Sequence, residues 1–258
     1  MYYLDVYLES GLFARHQSRS FKPAGDNVRS DLKEGEFMSR SLLTVLAMFP
    51  IIGMLACSAA TAAVGLPDPA VDAPLTRTKG EQTAVVAGGC FWGVQAVFEH
   101  VKAVIRVTAG YSGGSADTAH YEAVCSDTTG HAESVSIAYD PSQITYGQLL
   151  KVFFSVAHDP TQLNRQGPDT GTQYRSVVFY ESVDQKRIAQ AYIDQLDHAK
   201  VFSGPIVTQV VALDSFYPAE AYHQDYAVRH PRDGYIVIND LPKMANLRKQ
   251  FPNLYTER

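Results

Sequence analysis

Apolar positions along this chain recur with two periods, and the alternation between them predicts its elements. Ala84 to Ala87 is a short uninterrupted apolar run, as in a buried strand, and Val94 to Glu99 has helical spacing. Val104 to Tyr111 alternates as a strand and is ended by Ser112-Gly113-Gly114. His120 to Cys125 predicts a short helical turn, and Glu133 to Tyr139 a half-buried strand closed by Asp140-Pro141. Tyr146 to Ala157 places apolar residues at 149, 150, 153, 154 and 157, one face of a helix. His158 to Gly171 has no period and predicts a long loop, a length at which loops are often functional. A strand over Tyr174–Tyr180, an amphipathic helix over Val183–Val201, a strand over Pro205–Leu213 and a last helix over Glu220–Arg229 complete the pattern. The glycine-rich fingerprint of a dinucleotide fold is missing, and the pattern predicts a mixed α/β domain with its sheet covered by helices.

The first 82 residues read differently. Met1 to Phe37 is polar, of mixed charge and without period, as in a disordered extension or a start codon set too early. Met38-Ser39-Arg40-Ser41 then gives a positive start, Leu42 to Ala56 an apolar stretch, and Ser58 to Ala63 small residues. That is the layout of a secretory signal peptide with cleavage near Ala63. Leu55-Ala56-Cys57 also resembles a lipobox, which leaves lipidation of Cys57 and an uncleaved anchor as alternatives. All three predict an exported, periplasmic protein. Val64 to Gln82, with three prolines, reads as a linker, so the catalytic domain is expected over residues 83–258.

Composition narrows the field. The chain is 46% hydrophobic and 19% charged, which suits a globular domain. Residues 1–63 carry equal numbers of acidic and basic residues, so the remainder keeps the net charge of −5. No long basic run is present, which argues against nucleic acid as a partner. The three cysteines, Cys57, Cys90 and Cys125, are too few for a disulfide framework, and no pair has zinc-site spacing.

Among them Cys90 carries the chemistry. It lies in Gly88-Gly89-Cys90-Phe91-Trp92-Gly93, where a strand turns into a helix. Glycines permit the tight turn. The first N–H groups of the helix and its dipole then favour a negative sulfur. Such a thiol is expected to ionise more readily than a free cysteine, and the thiolate is the nucleophile. Phe91 and Trp92 beside it suggest an apolar cup; the plain alternative is a buried cysteine among core aromatics. Glu133 stands at the mouth of a strand, where partial desolvation would raise its pKa for proton donation. Tyr121 and Tyr174 are phenols at element ends, and Asp169 lies in the polar loop.

Gly89-Cys90-Phe91-Trp92-Gly93 resembles the signature of peptide methionine sulfoxide reductase A. The likeness continues in order through Gly110–Gly114, Tyr121–Cys125, Gly130–Glu133, Tyr139–Pro141, His158–Thr161, Gly171–Ser176 and Tyr222-His223-Gln224. It implies an α+β, two-layer fold. It also implies Cys90 as nucleophile, Glu133 as acid, Tyr121 and Tyr174 as phenols on the sulfoxide oxygen, Phe91 and Trp92 as walls for the methyl group, and Asp169 as a substrate-orienting carboxylate. The substrates implied are oxidised proteins and free methionine sulfoxide, of the S epimer, since one enzyme serves each epimer. No metal or organic cofactor is implied; a thioredoxin-like protein or a small thiol would regenerate the enzyme, and a monomer is expected.

The chain departs from the family pattern in its tail. Many members carry recycling cysteines there, whereas His230 to Arg258 contains none. Cys125 reads as a buried structural thiol, the alternative being that it resolves Cys90. Two other functions fit the residue types. One is a cysteine hydrolase or acyltransferase pairing Cys90 with His131, His158 or His223 and an aspartate such as Asp159. The other is a redox sensor or binding module for oxidised methionine without turnover.

Overall fold

The strand β1 (Gln82–Ala87) shows why the chain begins its domain with an unbroken apolar run. Ala84 and Val86 face one core, while Val85 and Ala87 face another on the opposite side of the sheet. A strand buried on both faces cannot alternate apolar with polar. The computed structural model describes residues 65–257. The readings made for residues 1–64, including the extension, the signal peptide and Cys57, lie outside the described residues.

β1 sits at the centre of a six-stranded mixed sheet of order β7-β6-β1-β3-β2-β8. Its neighbours β3 (Ala132–Tyr139) and β6 (Val177–Tyr180) are both antiparallel to it. β2 (Val104–Ser112) pairs antiparallel with β3 and with the short β8 (Phe216–Pro218), while β7 (Gln209–Ala212) lies parallel to β6. Helices α1 (Phe91–Glu99), α3 (Tyr146–Val152) and α4 (Val183–Ala199) supply Phe98, Leu150, Tyr192 and Leu196 to the main core on one face. The smaller cluster on the other face contains no residue of these helices. The result is the α+β, two-layer arrangement expected.

Element ends differ from the pattern in ways that have local causes. The 146–157 helix is α-helical only to Val152 and then widens into a π-helical turn, Phe153–Ala157. That turn seats Phe153 and Phe154 in the core and brings His158 beside Gly88. The expected loop 158–171 contains a two-residue hairpin, β4 (Arg165–Gln166) with β5 (Asp169–Thr170). Tyr174 does not start a strand; it closes the 3₁₀ turn Thr172–Tyr174. The expected helix 220–229 is helical only over α5 (Tyr226–Arg229). Nor is it last: a second π-helical turn, Ile236–Asp240, runs into α6 (Leu241–Gln250).

Residues 65–81 have no regular structure, yet they are fastened to the domain rather than hanging free. Asp72 accepts from the backbone N–H of Gly147 at 2.9 Å and from the Thr145 hydroxyl at the start of α3. Tyr192 on α4 donates to the Pro67 carbonyl at 2.9 Å. Prolines exclude this segment from a ladder, and side chains of α3 and α4 satisfy its polar groups instead. Among the described residues no helix is long and apolar enough to cross a membrane.

Candidate active site

At the junction of β1 and α1 the backbone makes the turn that the glycines permit. Gly89 has φ +90°, and a Cβ there would also meet the Gln166 side chain at 2.6 Å. Cys90 follows as the residue that caps α1. The first N–H group of that helix has a side-chain partner. Phe91 N–H donates to Glu133 Oε2 at 3.0 Å, and Trp92 N–H faces the Cys90 sulfur, whose side chain makes no capping hydrogen bond. The carboxyl group that caps α1 therefore comes from the mouth of β3, which sets it beside the Cys90 sulfur.

A cavity of about 200 Å³ opens over them. Its walls are Cys90, Phe91, Trp92, Tyr121, Glu133, Asp169, Tyr174 and Tyr235. All seven candidates from the sequence thus meet in one hollow, and it is smaller than the roughly 300–1,000 Å³ of drug-sized sites. A larger hollow of about 620 Å³ lies between the 65–81 segment, α3 and α6, and holds none of these groups. Tyr121 comes from α2 (Tyr121–Val124), whose first N–H is held by Glu220 Oε1 at 2.9 Å.

Three further residues shape the site without having been singled out for this role in the sequence. Tyr235 brings the tail to the cavity and donates its hydroxyl hydrogen to Asp169. Its ring also meets the edge of Trp92, with centroids 5.9 Å apart. Tyr226 stacks on Trp92 at 3.8 Å, and Trp92 Nε1–H donates to His223 Nδ1 at 3.2 Å. Between them these groups hold the indole in place. His223 stood in a quoted motif, and nothing in that motif connects it to Trp92.

The comparisons with known proteins fit this geometry. A model of the family described as peptide methionine sulfoxide reductase matches residues 82–255. The chain belongs to that family. It is 62% identical to peptide methionine sulfoxide reductase MsrA 2 of Mesorhizobium japonicum over 69% of this chain and 92% of that protein. It is 53% identical to MsrA 2 of Synechocystis sp. over 72% of this chain and 88% of that protein. Among solved structures it is similar to reduced Mxr1 of Saccharomyces cerevisiae, with 31% identity, TM-score 0.53, and 61% and 93% of the two chains covered. Methionine sulfoxide reductase A of Corynebacterium diphtheriae gives 32% identity, TM-score 0.52, and 65% and 87% covered.

Burial governs the electrostatics of this family member. It pushes the Glu133 carboxyl up to about 8, aided by the neighbouring Asp169 and opposed by the Phe91 N–H. A carboxyl of this kind is protonated at neutral pH and able to donate. The expectation of an easily ionised Cys90 is not met. Desolvation raises the thiol well above its ordinary value, and Glu133 and Asp240 add to the rise. The Trp92 N–H and Lys243 oppose it without prevailing. Cys90 is 8% exposed, and burial there outweighs the helix N-terminus. Tyr121 and Tyr174 are both shifted upward by burial first, so each keeps its hydroxyl hydrogen to donate.

Each of the histidines weighed for a hydrolase is engaged elsewhere. His131 is bonded to Gly114 N and Ser115 O at 3.3 and 3.0 Å. Buried His158, lowered to about 3 by desolvation first, bonds Phe153 O and the Ser176 hydroxyl. His223 takes the Trp92 N–H. Cys125 is exposed rather than buried, and its thiol lies beside the Tyr121 side chain.

Proposed function

We propose that this protein reduces methionine S-sulfoxide, free and in proteins, to methionine, and so repairs oxidised proteins. One observation carries the reading: the Cys90 sulfur and a protonated Glu133 share an aromatic-walled cavity with two phenols. A sulfoxide sulfur is a poor electrophile until its oxygen is protonated or strongly hydrogen-bonded. Glu133 supplies that proton, and Tyr121 and Tyr174 hold the oxygen as charge develops there. Phe91 and Trp92 take the methyl group, and their desolvated surface rejects charged side chains. Asp169 orients the substrate backbone.

The Cys90 sulfur attacks the activated sulfur while its own proton passes to the site carboxyl. The sulfur–oxygen bond of the substrate breaks, oxygen ends on Cys90 as a sulfenic acid, and methionine leaves. Thiol plus sulfoxide equals sulfenic acid plus sulfide, so no atoms are left over. Two equivalents of an external thiol then return Cys90 to the thiol, forming a disulfide and water. A thioredoxin-like protein or a small thiol serves as that donor. The layout of residues 38–63 supports work outside the cytoplasm, a reading that N-terminal sequencing of the exported protein checks.

The assay incubates the protein with S- and R-sulfoxide peptides and dithiothreitol. Methionine is expected from the S epimer alone, and not from the Cys90→Ser variant. Turnover of the R epimer, or binding of sulfoxide peptides with no methionine released, would overturn the proposal.

A further inference from the structure

Against the first turn of α1 the tail places an ion pair with a buried carboxylate. Asp240 ends the second π-helical turn and has no exposed surface. Lys243, one turn later on α6, donates to its Oδ1 at 3.1 Å. Both press on Gly93 in the first turn of α1. A Cβ at Gly93 would collide with Asp240 Oδ1 and would lie 2.7 Å from Lys243 Nζ. The close approach explains why a glycine stands in a helix three residues after Cys90. The second oxygen of Asp240 is buried without a hydrogen-bond partner. A carboxylate is not placed so, against the helix that bears a nucleophile, for packing alone: an apolar residue would fill the space at lower cost.

We propose that Asp240 and Lys243, packed against the first turn of α1, tune the Cys90 sulfur in opposite directions, Lys243 favouring the thiolate and Asp240 the thiol. The proposal rests on the reading of Cys90 as the nucleophile and goes beyond it. The groups around the sulfur make such a cation useful. Glu133 comes from β3, Asp169 from β5, and Asp240 from the tail, so three carboxyl groups surround it. Tyr121, Tyr174, Tyr226 and Tyr235 face it as neutral phenols. His158 and His223 stand behind the turn and the cup, both lowered first by burial. Against the carboxyl groups Lys243 supplies positive charge, and its field reaches both the Cys90 sulfur and His158. Asp240 and Lys243 touch no substrate; they are positioning residues that act through the sulfur.

The experiment measures alkylation of Cys90 by iodoacetamide in the full chain. The Cys90 peptide is followed by mass spectrometry between pH 7 and 10, so Cys57 and Cys125 do not interfere. Lys243→Met, which keeps the stem and removes the charge, is expected to slow alkylation about tenfold at a given pH, the effect of one pKa unit. Lys243→Arg restores the rate, and Asp240→Asn raises it several-fold. A purely structural pair moves both variants in the same direction or changes only their melting temperatures; either result overturns the proposal. Lys243→Arg and Lys243→Met differ in charge at similar bulk, so a folding defect in Asp240→Asn leaves the test intact. If the wild type reduces no sulfoxide while the opposite shifts persist, the proposed function fails and the tuning pair stands. If it reduces the S epimer and the shifts are missing, only the pair fails.

Discussion

The two sides of the cavity are built on different logic. The side made by β1, α1 and β3 is short-range and rigid: Cys90, Phe91 and Trp92 are consecutive, and Glu133 is pinned to Phe91 by one hydrogen bond. The side made by the tail is long-range, with Tyr235 reaching Asp169, and Asp240 and Lys243 reaching Gly93. The first side carries the reacting groups. The second carries shape and charge. Reactive atoms need sub-ångström placement, which neighbouring residues on one element junction give most reliably.

This division is open to test, beginning with the rigid side. Glu133→Gln is expected to lower kcat by about 10²–10⁴-fold, the range of a lost general acid, in the sulfoxide peptide assay. The same carboxyl gives a pH dependence. Its ordinary value is 4.5 and its folded value about 8, so the native state keeps a proton that the unfolded chain releases between these limits. Stability therefore declines as pH rises from about 4.5 to about 8, and activity falls as pH passes about 8. In thermal melts Glu133→Gln is expected to flatten that decline, with no gain below pH 4.5.

On the tail side, Tyr235→Phe leaves Asp169 without its phenol partner while keeping the ring against Trp92. A rise of about tenfold in KM with a smaller change in kcat is expected, about the worth of one hydrogen bond to a charged group. Gly93→Ala tests the close packing between the two sides. Alanine favours a helix by about 1 kcal/mol over glycine, but overpacking costs about 1–3 kcal/mol, and here displaces a buried carboxylate. Net destabilisation in denaturant melts is the expected sign. The smallest effect lies far from both sides. Asp72→Ala removes the acceptor at the start of α3 and is expected to cost about 1 kcal/mol of stability with unchanged kcat/KM.

The short-range side was legible in the sequence because its signals are local. Glycine, cysteine and two rings in succession announce a turn, a nucleophile and a cup. A carboxylate at a strand mouth becomes an acid once a motif marks it. Tyr174 was found as a residue but not as structure, because the 3₁₀ turn that seats it breaks the period two residues before β6. The tail was misread for a related reason. Ile236 to Asp240 is a π-helical turn, whose wider spacing matches neither helical nor strand periodicity, and α6 begins with Leu241-Pro242. The ionisation of Cys90 was misjudged because a helix N-terminus is visible in sequence and burial is not.

The tail's fixed helices also bear on how the catalyst is refreshed. With no cysteine after His230, no arm of this part of the chain can swing in to collect the oxidised sulfur. Unless Cys125 takes that part, the substrate and the reductant come to the same door and take turns. Kinetics of the double-displacement type are the consequence, with an excess of either visitor slowing the entry of the other.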